Sequence, residues 1–199
     1  STGSLPGAPE RPTPRSERNA INLGIGQGPV AWTPVQAAEA YATLVRRGQR
    51  LGPTLVKPKH RNTKRTREDL DLNPAGVVRA MRGLHQVVNG EKGTGRRLHL
   101  AEPEPIFNVE GVTVYGKSGT ADAGNRWIDK NTNGQVDPGE TIEDAGDHSW
   151  FVALPEPKGA DEPGYVVAVV VEYGGSGSQV AGPIANQILH ALKVEGYLP

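Results

Sequence analysis

Val112-Thr113-Val114-Tyr115-Gly116-Lys117-Ser118-Gly119-Thr120 sets an alternating apolar run directly before a lysine, two hydroxyls and a glycine. The alternation over residues 112–115 predicts a half-buried strand. Carried forward, it puts Ser118 and Thr120 on one face and Lys117 on the other, so the three can serve one ligand only if it lies along the strand edge. A lysine beside hydroxyls suits a carboxylate, and Gly119 would let a ligand approach the backbone closely. Four such residues alone do not identify a site.

Two further strands follow downstream. Trp150-Phe151-Val152-Ala153-Leu154 is a short apolar run, and residues 165–173 are nearly continuous valine. The polar Pro/Gly stretch 155–164 between them suits a wide hairpin, and the unbroken run 166–171 predicts a strand buried on both faces. Each face then needs a cover. One cover is a helix opening at Gly182-Pro183 that places Ile184, Ile188 and Leu192 together, with Ala185 and Leu189 beside them.

Upstream, Thr33-Pro34-Val35-Gln36 offers an N-cap hydroxyl, a first-turn proline and a glutamine to close a capping box. The helix it starts runs toward Gly48 with Ala37, Ala38, Tyr41, Leu44 and Val45 on one stripe. Asn73-Pro74 starts a second, in which Val77, Met81, Leu84 and Val88 share a face before Asn89-Gly90 ends it. Helices, then three antiparallel strands, then a C-terminal helix give an α+β fold.

Composition narrows the function. The chain of 199 residues suits one domain, and Lys plus Arg (22) balance Asp plus Glu (22), so neither nucleic acid nor an anionic membrane is expected as a partner. There is no cysteine, which removes disulfides, thiolate metal sites and cysteine nucleophiles together. No apolar run reaches the ~18 residues needed to span a bilayer. Residues 1–20, with Pro6, Pro9, Pro12 and Pro14, read as an irregular segment, and the basic run 57–67 has no interleaved aromatic residue and reads as a solvated loop.

Two apparent motifs carry no chemistry. Gly24-x-Gly26-x-Gly28 lacks the spacing and the strand-turn-helix context of a dinucleotide loop. His148 and Ser149 are adjacent on a strand, so they face apart and cannot act as base and nucleophile. His148 reads as structural, as does His85 on its helix. Gly174-Gly175-Ser176-Gly177-Ser178 reads as a flexible turn.

Asp129-Lys130-Asn131-Thr132-Asn133-Gly134-Gln135-Val136-Asp137-Pro138-Gly139-Glu140 is different. It has oxygen ligands at loop positions 1, 3, 5, 9 and 12, glycine at 6 and an apolar residue at 8, the EF-hand calcium pattern, although a polar Asn-Gly turn would draw on the same residue types. Ca²⁺ would take the side chains of Asp129, Asn131 and Asn133, the Gln135 carbonyl, Asp137 and both oxygens of Glu140. With no flanking helices in the sequence and only three carboxylates, binding is expected to be weak and structural, near ~10⁻⁴ M. The loop belongs to an insertion at 122–147.

Asn22-Leu23-Gly24-Ile25-Gly26-Gln27-Gly28, Thr33-Pro34-Val35-Gln36, Gly93-Thr94-Gly95-Arg96, Lys117-Ser118-Gly119-Thr120-Ala121 and His148-Ser149-Trp150-Phe151 together resemble, in order and spacing, the penicillin-binding transpeptidases. The class B, elongation-type branch is the nearest likeness. Residues 21–199 are thereby identified as the C-terminal part of such a domain, a partial fold with two of the family's five strands upstream. Of the family's three motifs, Ser-x-x-Lys, Ser-x-Asn and Lys-Thr-Gly or its Lys-Ser-Gly variant, only the third is here. None of Ser1, Ser4, Ser16, Ser118, Ser149, Ser176 or Ser178 has a lysine three residues on or an asparagine two on. This chain is therefore expected to be the downstream portion of a longer protein, and inactive by itself.

The resemblance implies roles. Lys117 and Thr120 are the catalytic positions: Lys117 supplies positive potential near the stem-peptide carboxylate, and Thr120 offers a hydroxyl and an oxyanion-hole N–H, an effect worth about 3 kcal/mol at comparable holes. Ser118 donates to the carboxylate, so that Lys117, Ser118, Gly119 and Thr120 together bind substrate. The implied partners are peptidoglycan stem peptides, β-lactams and the upstream part of the same protein. The implied location is extracytoplasmic, with a membrane reached only through an upstream anchor, and no cofactor serves catalysis. The competing possibilities are a non-catalytic, calcium-stabilised interaction domain on the same fold and, less compatible with the match at residues 24–36, a serine β-lactamase or carboxypeptidase.

Overall fold

The computed structural model describes residues 31–54, 67–98 and 104–199. The segment 1–20, the glycines at 24, 26 and 28, and the basic run apart from Arg67 lie outside the described residues. Helix α1 (Pro34–Val45) begins as its sequence dictates. The Gln36 backbone N–H donates to Thr33 Oγ1 at 3.3 Å, and the Thr33 N–H donates back to Gln36 Oε1 at 3.0 Å. The chain then turns through Arg47 (φ 55°) and Gly48 (φ 103°) into β1 (Gln49–Leu51), which pairs antiparallel with β2 (Arg67–Asp69). This small second sheet, held partly by exposed pairs such as Arg50 with Glu68, is not signalled in the sequence because its six residues carry no apolar alternation.

Helix α2 (Pro74–Asn89) is capped by Asn73, whose Oδ1 accepts from the Gly76 N–H at 3.1 Å. Val77, Leu84 and Val88 are buried as the spacing predicts. The Asn89 side chain donates both to the His85 carbonyl and to Val114 O of the sheet, at 2.9 Å each, which fastens the end of α2 to the next strand.

The main sheet has the order β3–β4–β5 and is antiparallel throughout, as expected, but its first two strands are far longer than the apolar runs that announce them. β3 spans Val112–Trp127 and β4 spans Ile142–Pro157, paired from Val112↔Pro157 out to Trp127↔Ile142 with irregular register after Ala123. β5 (Val167–Val171) is shorter than the valine run that predicts it.

Both faces of the sheet are covered. Val114, Phe151, Ala153, Val167 and Val169 pack with Ile106, Phe107 and helix α3 (Gly182–Val194), while Tyr115, Leu154 and Val166 pack with Val45, Leu84 and Met81 of α1 and α2. In α3 the row expected to lead is shifted: Ala185 and Leu189 are fully buried, and Ile188 is 37% exposed. The reason is Ala181 and Gly182, whose missing bulk brings their own side of the helix down onto the sheet.

Candidate active site

β3 is one edge of the main sheet, so the strand carrying Lys117, Ser118, Gly119 and Thr120 has no strand partner on its outer side among the described residues. Alternation holds through the motif. Val114 and Gly116 lie on the α3 side with Ser118 and Thr120, and Tyr115 lies on the α1–α2 side with Lys117. Lys117 Nζ curls back to donate to the Ser118 carbonyl. Its side chain as a whole is exposed, yet it runs along an apolar cleft of about 520 Å³ between Trp32, Tyr41 and Leu44 on one wall and Ala80, Gly83 and Leu84 on the other. That surface desolvates the ammonium and lowers its pKa below the ordinary lysine value.

The hydroxyl face is held by groups to which the sequence attaches no supporting role. Ser118 Oγ lies 2.8 Å from Thr94 Oγ1, and Thr120 Oγ1 accepts from the Gly177 N–H at 3.4 Å. Gly177 opens a π-turn (Gly177–Ala181) pressed so close to β3 and β4 that a Cβ on it would meet Gly119 O and Trp150 O at 2.4 Å each. The stretch 174–178 is thus fixed rather than a flexible turn. Ser149, fully buried, supplies the fastening: its hydroxyl donates to Ser176 O at 2.9 Å and accepts from the Ala181 N–H at 3.0 Å. His148 is turned elsewhere, with Nδ1 accepting from the Tyr173 N–H at 3.0 Å, so the two adjacent residues do not form a hydrolytic pair. Gly119 leaves room chiefly for Trp150, whose Cβ would lie 3.1 Å from a Cβ there. Of these groups Thr94, His148 and Ser149 lay in quoted motifs and Gly177 in the 174–178 turn, none of them with a supporting role attached. A buried serine on an apolar strand is the signal that could have found Ser149.

The calcium-type loop closes the far end of the β3–β4 hairpin, where Ile128 N–H donates to Thr141 O at 2.9 Å, so strands rather than helices flank it. Its side chains converge on one another. Asp129 accepts from the N–H groups of Asn133 (3.2 Å) and Gly134 (2.7 Å), Asn131 and Asn133 both donate to Asp137 Oδ2 (2.7 and 2.6 Å), and Glu140 accepts from the N–H groups of Lys130 (3.0 Å) and Asp137 (2.9 Å). Gly134, at the sixth position, has φ 74°, the left-handed turn that this position requires. The Gln135 N–H donates to Asn133 Oδ1 at 2.7 Å. Among the described residues no three Asp, Glu or His side chains stand disposed as a metal-ligand set.

The site is thus a strand edge bearing a lysine and two hydroxyls, backed by an antiparallel sheet and a C-terminal helix on an α+β scaffold. The sequence profile of the penicillin binding protein transpeptidase domain matches residues 2–190, and the chain belongs to that family. It is 32% identical over 183 residues to the peptidoglycan D,D-transpeptidase MrdA of Haemophilus influenzae, an alignment covering 88% of this chain and 26% of that protein. The chain thus spans about a quarter of the length of this relative. Among solved structures, it resembles a chain of a peptidoglycan synthase complex that coordinates polymerization and crosslinking, with a TM-score of 0.62 and 27% identity over 96% of this chain and 29% of that one. It also shares the fold of penicillin binding protein 2X from Streptococcus thermophilus, with a TM-score of 0.66 and 18% identity over 99% of this chain and 27% of that one. No helix among the described residues is long and apolar enough to cross a membrane.

Proposed function

We propose that this chain forms the substrate-binding wall of a peptidoglycan D,D-transpeptidase whose nucleophilic serine lies in an upstream segment. The observation that carries it is the free edge of β3, where Ser118 and Thr120 present hydroxyls on one side of Gly119 and Lys117 presents an ammonium on the other. A peptide laid along such an edge meets backbone hydrogen-bonding groups and hydroxyls together. Its terminal carboxylate is held by Ser118 and Thr120, Lys117 supplies positive potential to the upstream groups, and Thr120 adds an N–H to the oxyanion hole. The serine oxygen bonds to the D-alanyl carbonyl carbon, the terminal D-alanine leaves, and an amine of a neighbouring strand takes the acyl group.

Two surfaces among the described residues suit such an upstream segment. The apolar cleft beside Lys117 is open, and the outer edge of β5 has no strand partner among the described residues. An upstream helix seated in that cleft brings its serine near Lys117, and further strands extend the sheet past β5. The chain without them is inactive. β-Lactams, which mimic the terminal dipeptide, are the inhibitors, and the site of action is outside the cytoplasm where peptidoglycan lies. The test is mass spectrometry of a pentapeptide stem incubated with the protein that carries the upstream segment. D-Alanine release with formation of a cross-linked dimer is expected, and intact pentapeptide would contradict the assignment.

A structural calcium ion in the hairpin tip is a second element of the proposal. Asp129, Asp137 and Glu140 belong to one hydrogen-bonded loop and Gly134 has the backbone that the pattern needs, and binding would require the carboxylates and the Asn131 and Asn133 amides to turn from their present partners toward one ion. Asp129, Asn131, Asn133, the Gln135 carbonyl, Asp137 and Glu140 would hold the ion, which supplies positive charge to brace the tip and takes no part in catalysis. A non-catalytic domain braced this way is the alternative to the enzyme, and intact pentapeptide in the same experiment would favour it.

A further inference from the structure

The turn that follows α2 and the π-turn that precedes α3 face each other across the Ser118 end of β3. Between them lies a cleft of about 480 Å³ lined chiefly by Lys92, Thr94, Arg96, Arg97, Ser178 and Gln179. Its charge is one-sided: three cationic side chains against the single carboxylate of Glu91. None of the three cations enters an ion pair among the described residues, and Arg97 Nε is buried with no hydrogen-bond partner. A buried guanidinium donor left unmet is costly, and an anion relieves that cost.

The cleft is also rigidly built. Gly93 and Gly95 let the turn lie against α2 and the core, since a Cβ on Gly93 would meet Val87 O at 2.3 Å and one on Gly95 would meet Phe151 Cζ at 2.9 Å. The Gly95 N–H donates to Val87 O at 2.9 Å, and Arg96 O accepts from the Ile106 N–H at 2.8 Å. The backbone that carries both arginines is therefore fixed. Thr94 joins the cleft to the strand through its 2.8 Å contact with Ser118 Oγ.

We propose that this cleft is a second carboxylate subsite, which holds an anionic group of the amine-bearing peptide that accepts the acyl chain. The inference rests on the transpeptidase assignment. The donor's terminal carboxylate is at Ser118 and Thr120, and after D-alanine departs the incoming amine enters from the side the leaving group vacated. The amine nitrogen then bonds to the acyl carbon, the ester bond to serine breaks, and the amine proton ends on the serine oxygen. An acceptor whose own carboxylate replaces that of D-alanine at Ser118 has its next anionic group within reach of Arg96 and Arg97.

The probes are D-glutamate and D-glutamine, two amines of the same shape that differ by one carboxylate, offered as acceptors to the protein that carries the upstream serine. Native protein should favour D-glutamate in kcat/KM by about tenfold, a preference that weakens in raised salt. Arg96→Gln with Arg97→Gln should bring the ratio close to one, and Arg96→Lys should retain part of it. Lys92→Gln, at an exposed position that folding tolerates, should give an intermediate ratio. Equal use of the two acceptors by native protein, or a preference that survives in all the glutamine variants, would overturn the subsite while leaving the transpeptidase assignment intact. If benzylpenicillin fails to acylate native protein, that assignment falls, and the subsite falls with it.

Discussion

The two ends of the β3–β4 hairpin are built on opposite principles. Between residues 112 and 120 the hairpin is sandwiched: Phe151, Ala153 and Leu154 are fully buried, helices cover both faces, and the π-turn is pressed onto Gly119. Past Ala121 the same two strands project beyond the core and are held by surface chemistry. Arg126 pairs with Glu143 and Asp144 and lies over the Tyr173 ring at 5.6 Å, and the Tyr173 hydroxyl donates to Gly124 O at 3.1 Å. The contrast explains where the proposed substrate-binding residues sit. The motif occupies the last turns of strand still clamped by the core, where side-chain positions are set by packing, and the projecting arm begins immediately after it.

Variants should break that contrast unequally. Phe151→Ala, in the clamped half, should cost about 3–5 kcal/mol in chemical denaturation of the whole protein, through the lost contacts and the cavity left among Phe107, Gly95 and Gly116. Gly177→Ala should cost less, about 1–3 kcal/mol by overpacking. Because its Cβ would strike Gly119 O and Trp150 O, it should also slow acylation sharply, read as the rate of penicillin labelling. At the other end, Ca²⁺ at about a hundred times its dissociation constant should stabilise the protein by about 2.7 kcal/mol if global unfolding releases the ion. Asp129→Asn should abolish that gain, and a thermal midpoint indifferent to calcium and chelator would remove the ion from the picture. Arg126→Ala should have the smallest structural effect, a loss of amide-exchange protection confined to the arm, since its ion pairs are solvent-exposed.

Lys117→Met separates stability from function. Desolvation lowers the folded pKa of Lys117 below its unfolded value, so the charged side chain opposes folding at neutral pH, and that cost fades as pH rises through the unfolded lysine value. The variant should therefore be at least as stable as the native protein at pH 7 while losing acylation. A substantial stability loss would mean that the lysine holds the fold rather than serving the site.

Much of this was legible in the sequence because burial leaves a pattern. The caps at Thr33 and Asn73, the stripe of α2 and the valines of β5 each carry a periodicity that only one local structure satisfies. The arm was not legible as strand, because residues 121–127 and 142–148 have no apolar face to alternate, and their pairing continues a register fixed elsewhere. The same holds for β1 and β2. At the site, the Lys-Ser-Gly-Thr run was visible, and its supports lay in quoted stretches without the role they play. Thr94, Ser149 and Gly177 reach Ser118, the π-turn and Gly119 from 24, 27 and 58 residues away, and such contacts leave no local trace.

The most direct test of the central claim is labelling by a fluorescent penicillin, under identical conditions, of this chain, of the protein that carries it with its upstream segment, and of that protein with Lys117→Met. Labelling of the longer native protein only, abolished by heat denaturation, is the expected result. Absence of label on the longer protein, or label undiminished by Lys117→Met, would contradict the assignment of this strand as the wall of a transpeptidase active site.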